Sequence, residues 1–155
     1  MGAIERFTEA AHALGIEPAI QRFPDGTKTA SDAAGAIGCD VAQIVKSLVF
    51  MADHQPVIAF TSGANRVDPS KLASVASVSE TRRATPEEAR SATGFAVGGT
   101  PPFGYPSPVR SFLDPILLAF EEIWAAAGTP DSVFPLTPAT LQGATGAETA
   151  DFTEG

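Results

Sequence analysis

The spacing of apolar residues changes along the chain, and each spacing predicts a different kind of element. Between residues 3 and 14, apolar side chains recur every three or four positions, which predicts an amphipathic helix. Two nearly continuous apolar runs, residues 44–52 and 56–61, predict a pair of strands joined by a hairpin turn at residues 53–55. These segments give the clearest predictions of regular structure in the chain.

Cap residues predict where further helices begin. Asp68, Thr85 and Thr137 each precede a proline, and proline suits the first turn of a helix. Thr29 is placed to cap a run of small residues in the same way. The predicted helices span residues 30–37, 69–76, 86–92 and 138–143.

Shorter apolar segments between these helices predict weaker strands, and a turn is predicted at residues 24–26. The weaker strands span residues 18–23, 78–83, 94–98, 112–114, 121–126 and 132–136. Strands and helices alternate without a regular βαβ rhythm, and no linker or repeat divides the chain. We therefore predict a single α+β domain over residues 1–155, with a mixed, curved or barrel-like β-sheet surrounded by short helices.

Composition and charge narrow the possible partners. The 155 residues are 44% hydrophobic, and their net charge of −8 argues against indiscriminate binding of nucleic acid. All ten bases lie at or before Arg110, whereas residues 111–155 contain seven acids and no base. Either the acidic segment is simply solvated, or one face of the molecule admits phosphates while the other repels them.

Few residues are suited to metal binding or to a disulfide. Cys39 is the only cysteine, which excludes a disulfide framework and favours a reducing, cytoplasmic setting. Neither His12 nor His54 has a partner at metal-ligand spacing, so no metal is expected. No apolar run approaches the roughly 18 residues of a membrane span, and the acidic start of the chain is unlike a signal peptide.

Two features are unusual enough to suggest a functional site. Lys46 interrupts an otherwise apolar strand, where burial of an unpaired ammonium is costly. Residues 98–108 contain three glycines and four prolines, which together predict a stiff loop with exposed backbone amides. Such amides can face an oxyanion, although the loop could equally be a stiff surface segment without a ligand.

Three segments, in this order along the chain, carry a family resemblance. They are Lys46 within IVKSLVF, residues 92–104 (ATGFAVGGTPPFG), and the tripeptide of residues 112–114 (FLD). Together they resemble the YbaK-type aminoacyl-tRNA deacylases, relatives of the editing domain of bacterial prolyl-tRNA synthetases. The resemblance extends over residues 3–145, nearly the whole chain.

The resemblance implies a trans-editing hydrolase that cleaves the ester between a wrong, small amino acid and a tRNA 3′ end, with tRNA(Pro) as one candidate. It implies that the backbone amides of Gly98, Gly99 and Thr100 bind the aminoacyl carbonyl, and that Lys46 lies in the same pocket. No metal or other cofactor is implied. The implied partner is aminoacyl-tRNA, and a synthetase or an elongation factor is a candidate for assisting its capture.

The resemblance and the sequence context of individual residues together give a wider set of candidates. The candidates for substrate binding are Phe23, Ser62, Pro102, Asp114, Ala126 and Gly128. The candidates for contact with tRNA phosphates are Arg66, Lys71 and Arg110, with Arg82 and Arg83 as further possibilities. Asp114 could instead cap the turn at Pro115, and Arg66 could be solvated or ion-paired.

Two positions depart from the family pattern. Ala126 stands where related deacylases often carry a serine, and Phe23 where some carry a tyrosine. These changes put a cysteinyl substrate in doubt and leave alanine or a hydroxylated amino acid as alternatives. They also leave open a non-catalytic module of the same fold that binds an aminoacyl-adenosine or a synthetase.

Overall fold

A computed structural model describes residues 2–24 and 29–155, so most of the predicted turn at residues 24–26 lies outside the described residues. The described part contains five α-helices: α1 (Ala3–Ala13), α2 (Ala30–Ile37), α3 (Pro69–Ala76), α4 (Pro86–Thr93) and α5 (Pro138–Thr145). Its eight strands are β1 (Gln21–Arg22), β2 (Val45–Ala52), β3 (Gln55–Ser62), β4 (Thr81–Arg83), β5 (Arg110–Leu113), β6 (Ile123–Ala126), β7 (Ser132–Leu136) and β8 (Glu148–Thr149). Short 3₁₀ helices span Val41–Gln43 and Pro115–Ala119.

The predicted helix starts are confirmed, because the cap side chains satisfy the first free backbone N–H groups. Asp68 Oδ1 accepts a hydrogen bond from the Ser70 N–H at 2.9 Å, at the start of α3. Thr85 and Glu88 form a reciprocal capping box at the start of α4, with bonds of 2.9 and 3.1 Å. Thr29 caps α2 by accepting from the N–H of the third helical residue.

The strands form two sheets that meet at one point. A five-stranded mixed sheet has the order β4-β2-β3-β5-β8, and a three-stranded antiparallel sheet has the order β1-β7-β6. The β2–β3 hairpin pairs Lys46 with Thr61, and β3 runs parallel to β5. A parallel bridge between Ile44 and Trp124 joins the two sheets. The α+β class is confirmed, with the strands divided between two sheets.

The core lies on both faces of the larger sheet. On one face, Phe7 of α1 packs against the rings of Phe103 and Phe134, with centroid distances of 5.1 and 4.8 Å. On the other face, Leu72 of α3 is fully buried in a second cluster that includes Phe112. Because alternate residues of a strand point to opposite faces, β2 and β3 contribute to both clusters.

The predicted strand at residues 94–98 is wrong. Gly94 adopts a left-handed conformation, with φ of 81°, and ends α4 there. The Thr93 hydroxyl accepts from the Phe95 N–H at 3.1 Å, which turns the chain away from an extended path. The segment therefore forms a turn that leads into Gly98, whose φ is 90°. The short strand β8 lies in a segment for which no element was predicted, and β1 is shorter than the predicted residues 18–23.

No helix within residues 2–24 and 29–155 has both the length and the apolar character needed to cross a membrane.

The close packing around Gly63 predicts that adding a side chain at this position destabilises the protein. A Cβ at this position would lie 2.5 Å from the Val41 carbonyl oxygen, so Gly63→Ala is expected to lower the free energy of unfolding by about 1–3 kcal/mol. Gly35→Ala is the control, because Gly35 is exposed inside α2 with nothing within 4 Å, and should stabilise by about 0.5–1 kcal/mol. Urea unfolding measures both. A Gly63→Ala protein as stable as the wild type would contradict the close approach.

Candidate functional site

A cavity of about 750 Å³ lies where β2 separates from β6. The strand β4 pairs with β2 only from Phe50 to Ala52, so residues 45–49 of β2 have no paired strand on that edge beyond the bridge at Ile44. The cavity occupies this gap and is lined on its other side by Trp124, Ala125 and Ala126. We call it the β2 cavity.

Three cationic side chains of the described residues line the β2 cavity: Lys46, Arg66 and Arg83. The Lys46 ammonium donates a hydrogen bond to the Asn65 carbonyl oxygen at 2.5 Å. Burial lowers the pKa of Lys46, and the nearby charges of Arg66 and Arg83 lower that pKa further, while Asp114 opposes the shift. This part of the cavity is therefore suited to an anionic group such as a phosphate.

The loop of residues 98–100 lies at the same cavity, with Gly98 and Thr100 in its lining. The Gly99 N–H donates to the Ala96 carbonyl at 3.1 Å, so this amide is used within the loop. The N–H groups of Gly98 and Thr100 have no hydrogen-bond partner among the described residues. Two of the three predicted amides thus remain for a ligand.

Backbone packing holds the loop in place. A Cβ on Gly99 would lie 2.7 Å from the Cα of Thr129, so only glycine allows the two backbone segments to approach this closely. Thr129 is in turn fixed by its hydroxyl, which donates to Asp131 at 2.5 Å, while Arg22 donates to the same carboxylate at 3.0 Å. The Thr129 hydroxyl and Arg22 lower the pKa of Asp131. The turn at residues 129–132 is therefore a firm support for the loop.

Asp114 is buried and supports the site from behind the cavity. Its carboxylate accepts from the Ser62 N–H at 3.1 Å and from the Asn65 side-chain amide at 2.9 Å. It also accepts from the Ile116 N–H at 3.1 Å, which caps the 3₁₀ helix. Because Asn65 in turn accepts from Lys46, Asp114 reaches the lysine through Asn65 and does not line the cavity.

Of the other residues predicted to bind substrate, one lines the β2 cavity and the rest lie elsewhere. Ala126 lines the β2 cavity, whereas Phe23, Ser62 and Gly128 are absent from its lining. Ser62 donates to the Ala42 carbonyl at 2.8 Å, and Phe23 packs in the small cluster beside α2. Pro102 lines a separate groove of about 400 Å³.

Of the predicted phosphate contacts, Arg66 and Arg83 are at the cavity and the others are not. Lys71 donates to the Thr153 carbonyl at 2.9 Å. Arg110 donates to a carbonyl in α3 at 2.8 Å and lies over the Phe112 ring. Arg82 forms a two-pronged ion pair with Glu88, at 2.7 and 2.8 Å, on the surface.

Sequence reasoning did not place four polar residues that line the cavity among the site candidates: Thr29, Ser31, Ser47 and Ser132. The signal for Ser47 was present, since it is the only polar residue beside Lys46 in an apolar strand. Trp124 is largely buried and also forms one wall of the cavity at the bridge. Among the described residues, no group of three or more His, Cys, Asp or Glu side chains is placed to hold a metal ion.

Residues 24–144 match the sequence profile of the aminoacyl-tRNA editing domain. YwhH of Bacillus subtilis is 29% identical over 122 residues, which is 79% of this chain and 78% of YwhH. A proline–tRNA ligase of Streptococcus thermophilus is 30% identical over 112 residues, which is 72% of this chain but 18% of the ligase. The chain therefore corresponds to a small part of that ligase.

Two solved structures share the fold over nearly the whole length of both chains. A candidate trans-editing enzyme for prolyl-tRNA synthetase is 42% identical with a TM-score of 0.94, covering 100% of this chain and 99% of that one. The hypothetical protein APE2540 is 27% identical with a TM-score of 0.87, covering 96% and 99%.

The lowered pKa of Lys46 predicts a pH-dependent difference in stability between the wild type and Lys46→Met. At neutral pH the wild type bears the cost of a partly buried ammonium. Between the folded pKa and the ordinary value of 10.5 the unfolded chain binds more protons, so the stability of the wild type relative to Lys46→Met should rise with pH. Urea unfolding at pH 7 and pH 10 measures this change, with Lys71→Met correcting for the loss of one lysine. A difference that falls with pH would contradict the burial of the charge.

Proposed function

The chain belongs to the aminoacyl-tRNA editing domain family, and we propose that it is a trans-acting deacylase that removes a small, wrong amino acid from the 3′ end of a tRNA. The observation that carries this proposal is that Lys46, Gly98 and Thr100 line one cavity, and that the described residues supply no partner for the N–H groups of Gly98 and Thr100. The similarity to a candidate trans-editing enzyme over the full length of both chains supports action on a tRNA charged elsewhere.

The chemistry is an ester hydrolysis. A water oxygen adds to the aminoacyl carbonyl carbon, and the bond between that carbon and the ribose oxygen breaks. One water proton goes to the ribose oxygen, which becomes a hydroxyl again, the other is released to solvent, and the amino acid leaves as its carboxylate. The N–H groups of Gly98 and Thr100 stabilise the negative charge that develops on the carbonyl oxygen. One such donor is worth about 10²–10³ in rate in other enzymes, since it is held in position before the reaction starts.

The cations at the cavity bind the phosphate of the terminal nucleotide. Lys46, Arg66 and Arg83 form a local positive region on a chain whose net charge is −8. Phosphate contacts position a nucleic acid without reading its sequence. The rest of the molecule repels a polyanion, so this region sets the orientation in which the tRNA end enters.

A panel of mischarged tRNAs tests the activity. Purified protein is expected to deacylate at least one of alanyl-, seryl-, threonyl- and cysteinyl-tRNA(Pro). Lys46→Met should lower kcat/KM by about 10- to 100-fold, the equivalent of one charge-assisted hydrogen bond of about 1.5–3 kcal/mol. Lys71→Met is the matched control, because its ammonium lies away from the cavity, and it should retain wild-type rates.

Two results would overturn the proposal. If micromolar protein deacylates none of the substrates in the panel, the proposed deacylase activity is excluded. Tight binding of an aminoacyl-tRNA without turnover would instead indicate a binding module of the same fold.

Arg66 gives a separate prediction about tRNA capture. Arg66→Gln is expected to raise KM severalfold with little change in kcat, and to lower the dependence of tRNA affinity on salt by about one counterion. Lys71→Gln, which changes a lysine outside the cavity, should leave the salt dependence unchanged. Filter binding of tRNA between 50 and 200 mM salt measures the slope, where one lost counterion corresponds to a slope smaller by about 0.7–0.9. An unchanged slope for Arg66→Gln would exclude a phosphate contact.

A further inference from the structure

The Lys46 ammonium is held by one backbone carbonyl of a neighbouring turn. Lys46 pairs with Thr61 in the β2–β3 hairpin, so the turn that follows β3 passes beside its side chain. From this turn, the Asn65 carbonyl oxygen accepts a hydrogen bond from Lys46 Nζ at 2.5 Å. A lysine ammonium has three donors, and the described residues supply no second acceptor for Lys46. The other donors are therefore left for a ligand in the β2 cavity.

The side chain of Asn65 connects this turn to a buried carboxylate. Its amide nitrogen donates to Asp114 Oδ2 at 2.9 Å, and Asp114 is only 1% exposed. The same carboxylate oxygen accepts from the Ser62 N–H at 3.1 Å, and the Asn65 N–H donates to the Ser62 carbonyl at 3.0 Å. Asp114 therefore holds both ends of the turn whose carbonyl holds the lysine.

Asn65 lies outside the lining of the β2 cavity, whereas Lys46 and Arg66 belong to it. A ligand in the cavity would therefore meet the lysine, and the asparagine would act on that ligand only through the lysine. Lysine has a flexible side chain, and ordering it on binding costs conformational entropy. A hydrogen bond that orders the ammonium beforehand lowers this cost.

The arrangement also keeps the ammonium close to a negative charge without a direct ion pair. Burial lowers the pKa of Lys46, and the charges of Arg66 and Arg83 lower it further. The Asp114 carboxylate opposes these effects. Asn65 lies between the two opposite charges, with its amide donating to the carboxylate and its carbonyl accepting from the ammonium. A direct ion pair with the buried carboxylate would draw the ammonium away from the cavity.

We propose that Asn65 is a positioning residue, which fixes the Lys46 ammonium at the β2 cavity before the substrate binds. This inference rests on the proposed function, in which Lys46 binds the terminal nucleotide. It assigns the side-chain amide of Asn65 a role in the reaction although that amide touches no substrate. The bond from this amide to Asp114 fixes the turn, and the turn fixes the lysine.

The first experiment measures kcat/KM on the mischarged tRNA that the wild type deacylates fastest. Asn65→Ala removes the amide but keeps the backbone carbonyl, and it should lower kcat/KM by about 3- to 10-fold, the value of one net hydrogen bond. Gln142→Ala is the matched control, because its side-chain amide also donates one hydrogen bond, at 3.1 Å to the Thr149 hydroxyl, but lies outside the β2 cavity. This control should retain the wild-type rate.

A double-mutant cycle distinguishes positioning from a general effect on folding. If Asn65 acts through Lys46, removing its amide has no further effect once the lysine is gone. The double variant Lys46→Met/Asn65→Ala should therefore match the kcat/KM of Lys46→Met within about twofold. A general loss of structure would instead lower the rate in both backgrounds. Urea unfolding of each variant ensures that every rate is measured on folded protein.

If Asn65→Ala does not fold, Asn65→Ser takes its place in both experiments, since serine is common in turns and lacks the amide. Two outcomes would overturn the inference: a wild-type kcat/KM in the folded variant, or a loss in the Lys46→Met background as large as that in the wild type.

Failure of the wild type on every ester would instead reject the proposed function. The same cycle is then measured by filter binding of tRNA, in which Asn65→Ala should weaken binding only when Lys46 is present. Equal weakening in the presence and absence of Lys46 would reject the positioning role.

Discussion

The separation of β2 from β6 is the constraint on which the site depends. The two strands touch at the Ile44–Trp124 bridge and then diverge, and β4 resumes pairing with β2 only at Phe50. Closing this gap would pair the backbone groups of β2 and fill the cavity with a continuous sheet. Strand pairing normally satisfies backbone polar groups, but along the open edge of β2 these groups are unpaired and face the cavity instead. Lys46, Arg66 and Arg83 lie around this one gap, as do Gly98 and Thr100, whose amides have no hydrogen-bond partner in the described part of the chain.

A second constraint is the contact between two backbone segments at Gly99 and Thr129. Because main chain packs on main chain there, the loop of residues 98–100 has no long side chain that must be ordered when a ligand enters. Donors that are already in position contribute more to a reaction than donors that must reorganise. The ion pair between Arg22 and Asp131 fixes the supporting turn from the outside, and so a surface contact contributes to the order of the site.

Local rules accounted for most of the helices and for the central hairpin. The caps at Asp68 and Thr85 mark helix starts because they act on their own neighbours. Lys46 and the glycine-rich loop stood out first as unusual residues in the sequence and then in the family resemblance, and both lie at the β2 cavity. Residues 94–98 were misassigned because their apolar composition resembles a strand, while a left-handed Gly94 and the Thr93 hydroxyl decide their path. The sequence did not show which candidate residues line the cavity and which hold the lining residues in place. Asp114 and Asn65 come together only when β3 and β5 pair, and Arg83 reaches the cavity only because β4 adds to the edge of β2.

Trp124 is the only tryptophan of the chain, and it lies where the two sheets join. Its indole is largely buried and forms part of the cavity wall. The tryptophan fluorescence of the protein therefore originates where the two sheets join, beside the β2 cavity. Occupation of that cavity by a ligand would alter the tryptophan emission of an unlabelled sample. The fluorescence of Trp124 can therefore be used to measure the rate of ligand binding separately from the rate of bond cleavage.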